Sequence, residues 1–213
     1  MMTTIYLIRH GESDGNATHT FCGQTDVPLT ARGIAQAECT AAYLRDRPMD
    51  FVYASDLRRA FRTGEIAAQA HGLTAQPDPQ LREIHGGAWE GQTYDWIGLH
   101  YPAEMAVWTD RIGLAQCPGG ESVVQVSERI TRRVRALAQL HPGAALCLAT
   151  HALAIRAFIG GVLGKPPAEW HELPWASNAS VTTVQYDDAT DRFTLVEYGA
   201  DAHLAGMRSQ SLA

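Results

Sequence analysis

The 213-residue chain contains one lysine, Lys165, so nearly all of its positive charge is arginine. Lys plus Arg total 17 against 23 Asp plus Glu, a formal net charge of −6. A basic footprint is therefore missing, which argues against nucleic acid as a partner. No run approaches the roughly 18 apolar residues that a membrane helix needs. The apolar stretch near Met1 is too short for a secretion signal. The expectation is a cytoplasmic protein with no membrane partner. Cysteine is scarce: Cys22, Cys39, Cys117 and Cys147 form no CxxC pair, which excludes the common redox and zinc frameworks and fits a reduced compartment. No histidine pair shows ligand spacing, so neither a metal nor a cofactor is expected. Repeats and low-complexity segments are also lacking.

What is present is ordinary globular material, 46% apolar and 19% charged, long enough for a sizeable core. Residues 5–8, 51–54 and 144–149 are short apolar runs that read as buried strands. Residues 181–186 and 193–198 read as two more, joined by a polar hairpin connection. Between them lie helical patterns. Ile34, Ala37, Ala41 and Leu44 share one face after Thr30, and Leu57, Phe61, Gly64 and Ala68 share another, with Ser55 and Asp56 where a cap belongs. Two short helices around Pro102, a long amphipathic helix after Ser122 and a buried helix over 152–163 follow. Residues 73–93 read as loop with at most one short strand. Alternating strands and helices predict an α/β fold: a three-layer α/β/α sandwich with a mostly parallel central sheet. Residues 1–200 are expected to form one domain and 201–213 a C-terminal tail.

Such sheets bind ligands at the carboxyl ends of their strands. After Ile8 stand Arg9 and His10, after Ala54 stand Ser55, Arg58 and Arg59, and after Thr150 stands His151. Arginine forks match phosphate oxygens. A neutral imidazole can attack phosphorus, a protonated one can stabilise the transferring oxygens, and a carboxylic acid must serve the leaving group. Glu83 and Glu90 are both candidates for that acid.

The segment Leu7-Ile8-Arg9-His10-Gly11-Glu12-Ser13 resembles the signature of the histidine phosphatase superfamily, the phosphoglycerate mutase-like proteins. Further blocks are similar in order: Gly23-Gln24-Thr25-Asp26, Tyr53-Ala54-Ser55-Asp56-Leu57-Arg58-Arg59-Ala60, Leu81-Arg82-Glu83-Ile84, Pro118-Gly119-Gly120-Glu121-Ser122 and Thr150-His151-Ala152-Leu153. The resemblance implies that His10 is the phosphorylated nucleophile, that Arg9 and Arg59 hold the phosphoryl group, that His151 is a charged stabiliser and that Glu83, ahead of Glu90, is the proton donor. It implies that Asn16 reaches the phosphate. Cys22, Gly23 and Ala152 are further candidates for substrate contact. Ala152 and Leu153 depart from the small, glycine-rich pair usual after the second histidine. Trp89, Tyr94, Trp96 and Trp108 can equally be packing residues, and Glu12 a partner for a nearby arginine.

Relatives divide into phosphatases and mutases. Glu83 and His151 are 68 positions apart (151 minus 83), and no lysine lies between them, whereas mutases carry a longer, basic insert there. The expected activity is therefore a metal-independent phosphomonoester hydrolase acting on a small phosphorylated metabolite through a phosphohistidine. The alternatives are a cofactor-dependent phosphoglycerate mutase, an alpha-ribazole phosphatase-type specificity, or a weak binding module that keeps the phosphate pocket. A homodimer is expected only from the resemblance.

Overall fold

The computed structural model describes residues 1–207. Its framework is a six-stranded sheet in the order β3-β2-β4-β1-β5-β6, where β1 is Met2–Arg9, β2 Phe51–Ala54, β3 Ala75–Pro77, β4 Ala145–Thr150, β5 Val181–Asp187 and β6 Arg192–Ala200. The first four strands run parallel, and the β5–β6 hairpin adds an antiparallel edge beside β1. The α/β class with a mostly parallel sheet is thus the observed one.

Side chains on a strand point alternately to its two faces. Tyr6 and Ile8 join Val52, Cys147 and Leu44 in one apolar cluster, with Ala67 and Ala68. Ile5 and Leu7 join Leu146, Leu148, Ile130, Val134, Ile155 and Phe158 in the other. The first face is covered by α2 (Ala31–Leu44) and α3 (Arg58–Gln69), the second by α6 (Val123–Leu140) and α7 (Ala152–Val162). The Thr30 side chain caps α2 by accepting from Gly33 N–H, and Ser122 caps α6 from Gln125 N–H. A four-residue helix α1 (Asp14–Ala17) lies in the loop after β1, and α4 (Tyr94–His100) and α5 (Pro102–Asp110) meet at Pro102.

Several details differ from the sequence reading. β1 and β6 are longer than their apolar cores, because pairing with neighbours continues past the last buried side chain. Residues 73–93 hold one short strand, β3, as the sequence reading allowed, and also two 3-10 turns, at Pro79–Leu81 and Gly87–Trp89, that it did not include. A further 3-10 segment, Pro167–Glu172, lies where no pattern announced it. Ser55 does not cap α3, whose N-cap is Leu57. Of the segment expected as a tail, residues 201–207 dock on α2: Leu204 is fully buried, His203 bonds to Thr40, and Met207 C=O accepts from Gln36. Residues 208–213 lie outside the described residues.

Gly64 shows how closely α3 sits on the sheet. A Cβ there would lie 2.8 Å from Ala54 Cβ and 3.2 Å from Ala149 Cβ. On an open helix face Gly→Ala gains roughly 1 kcal/mol of propensity. Here the forced separation costs ~1–3 kcal/mol, so Gly64→Ala is expected to lower the midpoint of urea unfolding. A stabilised variant contradicts this packing.

Candidate active site

The parallel register of β1 and β4 sets Arg9 opposite Thr150. The residues after them, His10 and His151, are thereby brought side by side, and His10 N–H continues the ladder onto Thr150 C=O at 2.9 Å. Their ring centroids are 5.2 Å apart with planes at 63°. His10 lines a cavity of about 850 Å³ together with Arg9, Asn16, Cys22, Gly23, Arg59, Glu83 and Ala152. Of the sequence-derived candidates, His151 and the alternative acid Glu90 are not among the residues that line this space. His151 has no exposed surface, and its ring meets that of His10 edge to face.

His10 Nδ1 is 2.7 Å from Gly11 C=O. A carbonyl can only accept, so Nδ1 carries the proton and Nε2 keeps its lone pair. Burial, then the charges of Arg59 and Arg9, hold the ring's pKa well below its usual 6.5. His10 is consequently a neutral base at neutral pH. The His151 ring is held by Ser55, with Nε2 2.8 Å from Oγ, while Nδ1 has no hydrogen-bond partner among the described residues. Burial first, then Arg59, push the pKa of His151 well below 6.5 as well. The expected charge on His151 is therefore not carried with these protein groups alone. A phosphoryl dianion beside it would reverse the sign of its surroundings and favour protonation.

Arg59, in the first turn of α3, donates to Thr25 C=O and, at 2.6 Å, to Gly23 C=O. Gly23 has φ +46°, and a Cβ there would lie 2.2 Å from Glu90 Oε1, so only glycine fits. Arg9 donates through Nη1 to Ala176 C=O at 2.6 Å, whereas its buried Nε has no partner among the described residues. Burial draws Arg9 down to about 10, still fully charged at neutral pH. Arg58 points elsewhere, bonding Asp26 at the surface.

The two candidate acids occupy different places. Glu90 is consumed by backbone donors: its carboxylate accepts from Gln24, Thr25 and Gly86 N–H. Glu83 lines the cavity and accepts from Leu153 and Ala154 N–H at the start of α7, both at 3.1 Å. Burial raises its pKa and outweighs these N–H groups and Arg59, which favour the anion. The loop carrying it is fastened by Arg129, which pairs with Glu121 and donates to the carbonyls of Gln80, Arg82 and Glu83. Glu12 pairs with Arg32 and accepts from Thr30 Oγ1. Trp89 is fully buried, Trp108 and Tyr94 border the cavity, and Trp96 stacks on His100 away from it.

A family model for the histidine phosphatase superfamily (branch 1) matches residues 5–200. The chain belongs to the histidine phosphatase superfamily. Within that superfamily it is 32% identical over 189 residues to a probable phosphoglycerate mutase of Escherichia fergusonii, covering 88% of this chain and 87% of the relative. The structure of YhfR from Bacillus stearothermophilus superposes with a TM-score of 0.90 at 28% identity, covering 95% of this chain and 99% of that one. A mycobacterial glucosyl-3-phosphoglycerate phosphatase superposes at 0.85 with 30% identity over 94% of this chain and 100% of its own.

Sequence reasoning missed Ser55 as the holder of His151, Arg129 as the fastener of the Glu83 loop, and Asn178, which bonds to His10. The depressed histidines also make a stability prediction. Below pH 6.5 the unfolded chain binds protons that the native rings refuse, so stability falls as pH falls. Each ring contributes up to about 1.4 kcal/mol per pH unit below 6.5. Urea unfolding at pH 7.5 and 5.5 is expected to show a smaller difference for His151→Gln than for the parent. An equal difference contradicts a neutral native His151.

Proposed function

We propose that the protein is a phosphomonoester hydrolase that forms a phosphohistidine on His10, needs no metal, and acts in the cytoplasm on a small phosphorylated metabolite. The observation that carries the reading is the His10 tautomer: the Nδ1–H bond to Gly11 leaves a lone pair on Nε2 in a cavity shared with the buried Arg59 and the half-buried Arg9. In the first step Nε2 attacks phosphorus while the ester P–O bond breaks, and Glu83, raised by burial, gives its proton to the leaving oxygen. In the second step water attacks the phosphohistidine, its proton passes to the Glu83 carboxylate, and the P–N bond breaks to return neutral His10. Arg9 and Arg59 hold the phosphoryl oxygens as charge shifts onto them, with Asn16 as a further donor. A phosphoryl oxygen also gives the buried Nδ1 of His151 the partner it lacks.

Hydrolysis is favoured over transfer to a second hydroxyl by the outer cavity wall. It sets Phe21, Tyr94, Met105, Trp108, Leu173 and Trp175 beside the polar His19, Thr109 and His171 and the acidic Asp95 and Glu172, whose charge opposes a second anion. Its arginine, Arg156, is already engaged: Nε and Nη2 donate to the carbonyls of Trp170 and His171, and the guanidinium lies 4.4 Å from the Trp175 ring. A phosphoglycerate mutase must also bind its substrate's carboxylate, and this wall supplies little for that. The mutase reading keeps support from the names of the curated relatives.

The test is phosphate release from p-nitrophenyl phosphate and a panel of phosphorylated metabolites with chelator present. Turnover is expected, and His10→Ala should abolish it. Glu83→Gln should slow alkyl phosphates by ~10²–10⁴-fold and p-nitrophenyl phosphate much less, because that leaving group needs little protonation. Equal slowing of both removes Glu83 from the donor role, and no phosphate release from any ester removes the hydrolase.

A further inference from the structure

We propose that Asn178 is a positioning residue of this site, whose side-chain amide locks the backbone of the nucleophile and the amide of Asn16 into one geometry. The proposal rests on the reading of His10 as nucleophile and Asn16 as a phosphoryl donor. Asn178 is 5% exposed and precedes β5, far from both partners in sequence. Its Nδ2 lies 3.1 Å from His10 C=O and 3.2 Å from Asn16 Oδ1. An amide nitrogen has two hydrogens, so each partner receives one.

The consequence for Asn16 is an orientation. Its Oδ1 accepts not only from Asn178 but also from Ser13 N–H at 3.1 Å and Ser13 Oγ at 3.0 Å. With three donors converging on it, that end of the amide is the oxygen. The NH₂ end is thereby assigned to the opposite side, and Asn16 borders the cavity. A donor there suits a phosphoryl oxygen, whereas the flipped amide would present an acceptor and repel it. Asn178 thus fixes which end of Asn16 the substrate meets.

The consequence for His10 is a distance. Gly11 C=O sets the ring through Nδ1, and His10 C=O sets the peptide that carries Gly11. Asn178 shares His10 C=O with Ala179 N–H, which donates to it at 3.2 Å and to Arg9 C=O at 3.0 Å. Arg9 is clamped from the same segment by Ala176 C=O and Ser180 C=O. Ala179 holds φ +60°, a costly conformation for a side chain, and its carbonyl is fixed by Thr40 Oγ1 at 2.7 Å. A segment strained in this way and bonded to both residues of the Arg9–His10 pair sets where Nε2 stands relative to phosphorus. Attack requires approach to about 3–3.5 Å with good alignment.

The experiment is a double-mutant cycle of Asn178→Ala and Asn16→Ala on the full chain, with kcat and KM for p-nitrophenyl phosphate and the rapid-mixing rate of phosphohistidine formation. Asn178→Ala is expected to lower the phosphorylation rate by ~10–100-fold with a smaller change in KM. Because Asn178 acts partly through Asn16, the double variant should lose clearly less than the product of the two single losses. Asn178→Leu fills a similar space without the two N–H donors and without a new charge. A role in packing alone leaves its phosphorylation rate near the parent's, and positioning lowers it. Multiplicative losses in the cycle, or a parent-like Leu variant, overturn the proposal; the Leu arm decides if the Ala variant does not fold. A parent that releases no phosphate refutes the hydrolase reading instead, which separates the two failures.

Discussion

The parallel register of β1 and β4 is the constraint on which the site depends. It places Arg9 opposite Thr150, and the next residue on each strand is a histidine. A shift of one residue would move Ile5 and Leu7 to the face that Tyr6 and Ile8 now fill, so the packing that holds Ile5, Leu7, Leu146 and Leu148 in one cluster and Tyr6, Ile8 and Cys147 in the other also holds the two imidazoles in register. Core packing and site geometry are the same requirement seen from two ends of the same strands.

Electrostatics supplies the second half of the account. An acidic chain gathers a buried guanidinium group, Arg59, a half-buried one, Arg9, and two buried imidazoles in one place, with Glu83 as the neighbouring carboxyl group whose own ionisation burial opposes. The two rings answer this by staying neutral, and the two arginines answer it with backbone carbonyls, Gly23 and Thr25 for Arg59 and Ala176 for Arg9. Arg9 Nε and His151 Nδ1 still lack partners among the described residues. Buried polar atoms without partners are costly, and on the proposed function a phosphoryl group would offer its oxygens to Arg9 Nε and to a protonated His151 Nδ1 together. On the proposed function, the neutrality of His10 and an affinity for a dianion would have one cause.

Much of this was legible in the sequence because strands announce themselves by apolar runs and their ends by polar residues. Arg9, His10 and His151 each stand directly after such a run, and the resemblance to a known family ordered the rest. What was not legible depends on contacts between distant segments. Ser55 follows β2 and resembles a helix cap, yet its hydroxyl serves His151, 96 residues away. Asn178 lies 168 residues from His10, in a short stretch of small polar residues that reads as a turn before β5. Glu83 and Glu90 look alike in sequence and both accept from backbone N–H groups, and only the fold shows that Glu83 lines the cavity while Glu90 is not among the residues that line it. The docking of His203 and Leu204 had no periodic signal, because three residues in a 3-10 turn carry none.

The central claim is that the imidazole of His10 carries the phosphoryl group during turnover. Rapid acid-free quenching after mixing with a phosphomonoester, followed by peptide mass spectrometry under alkaline conditions, tests it most directly. The account predicts an acid-labile phosphate on His10, formed and lost at rates consistent with turnover. A phosphoryl group found on another residue, or turnover with no phosphorylated protein at any time, would contradict it.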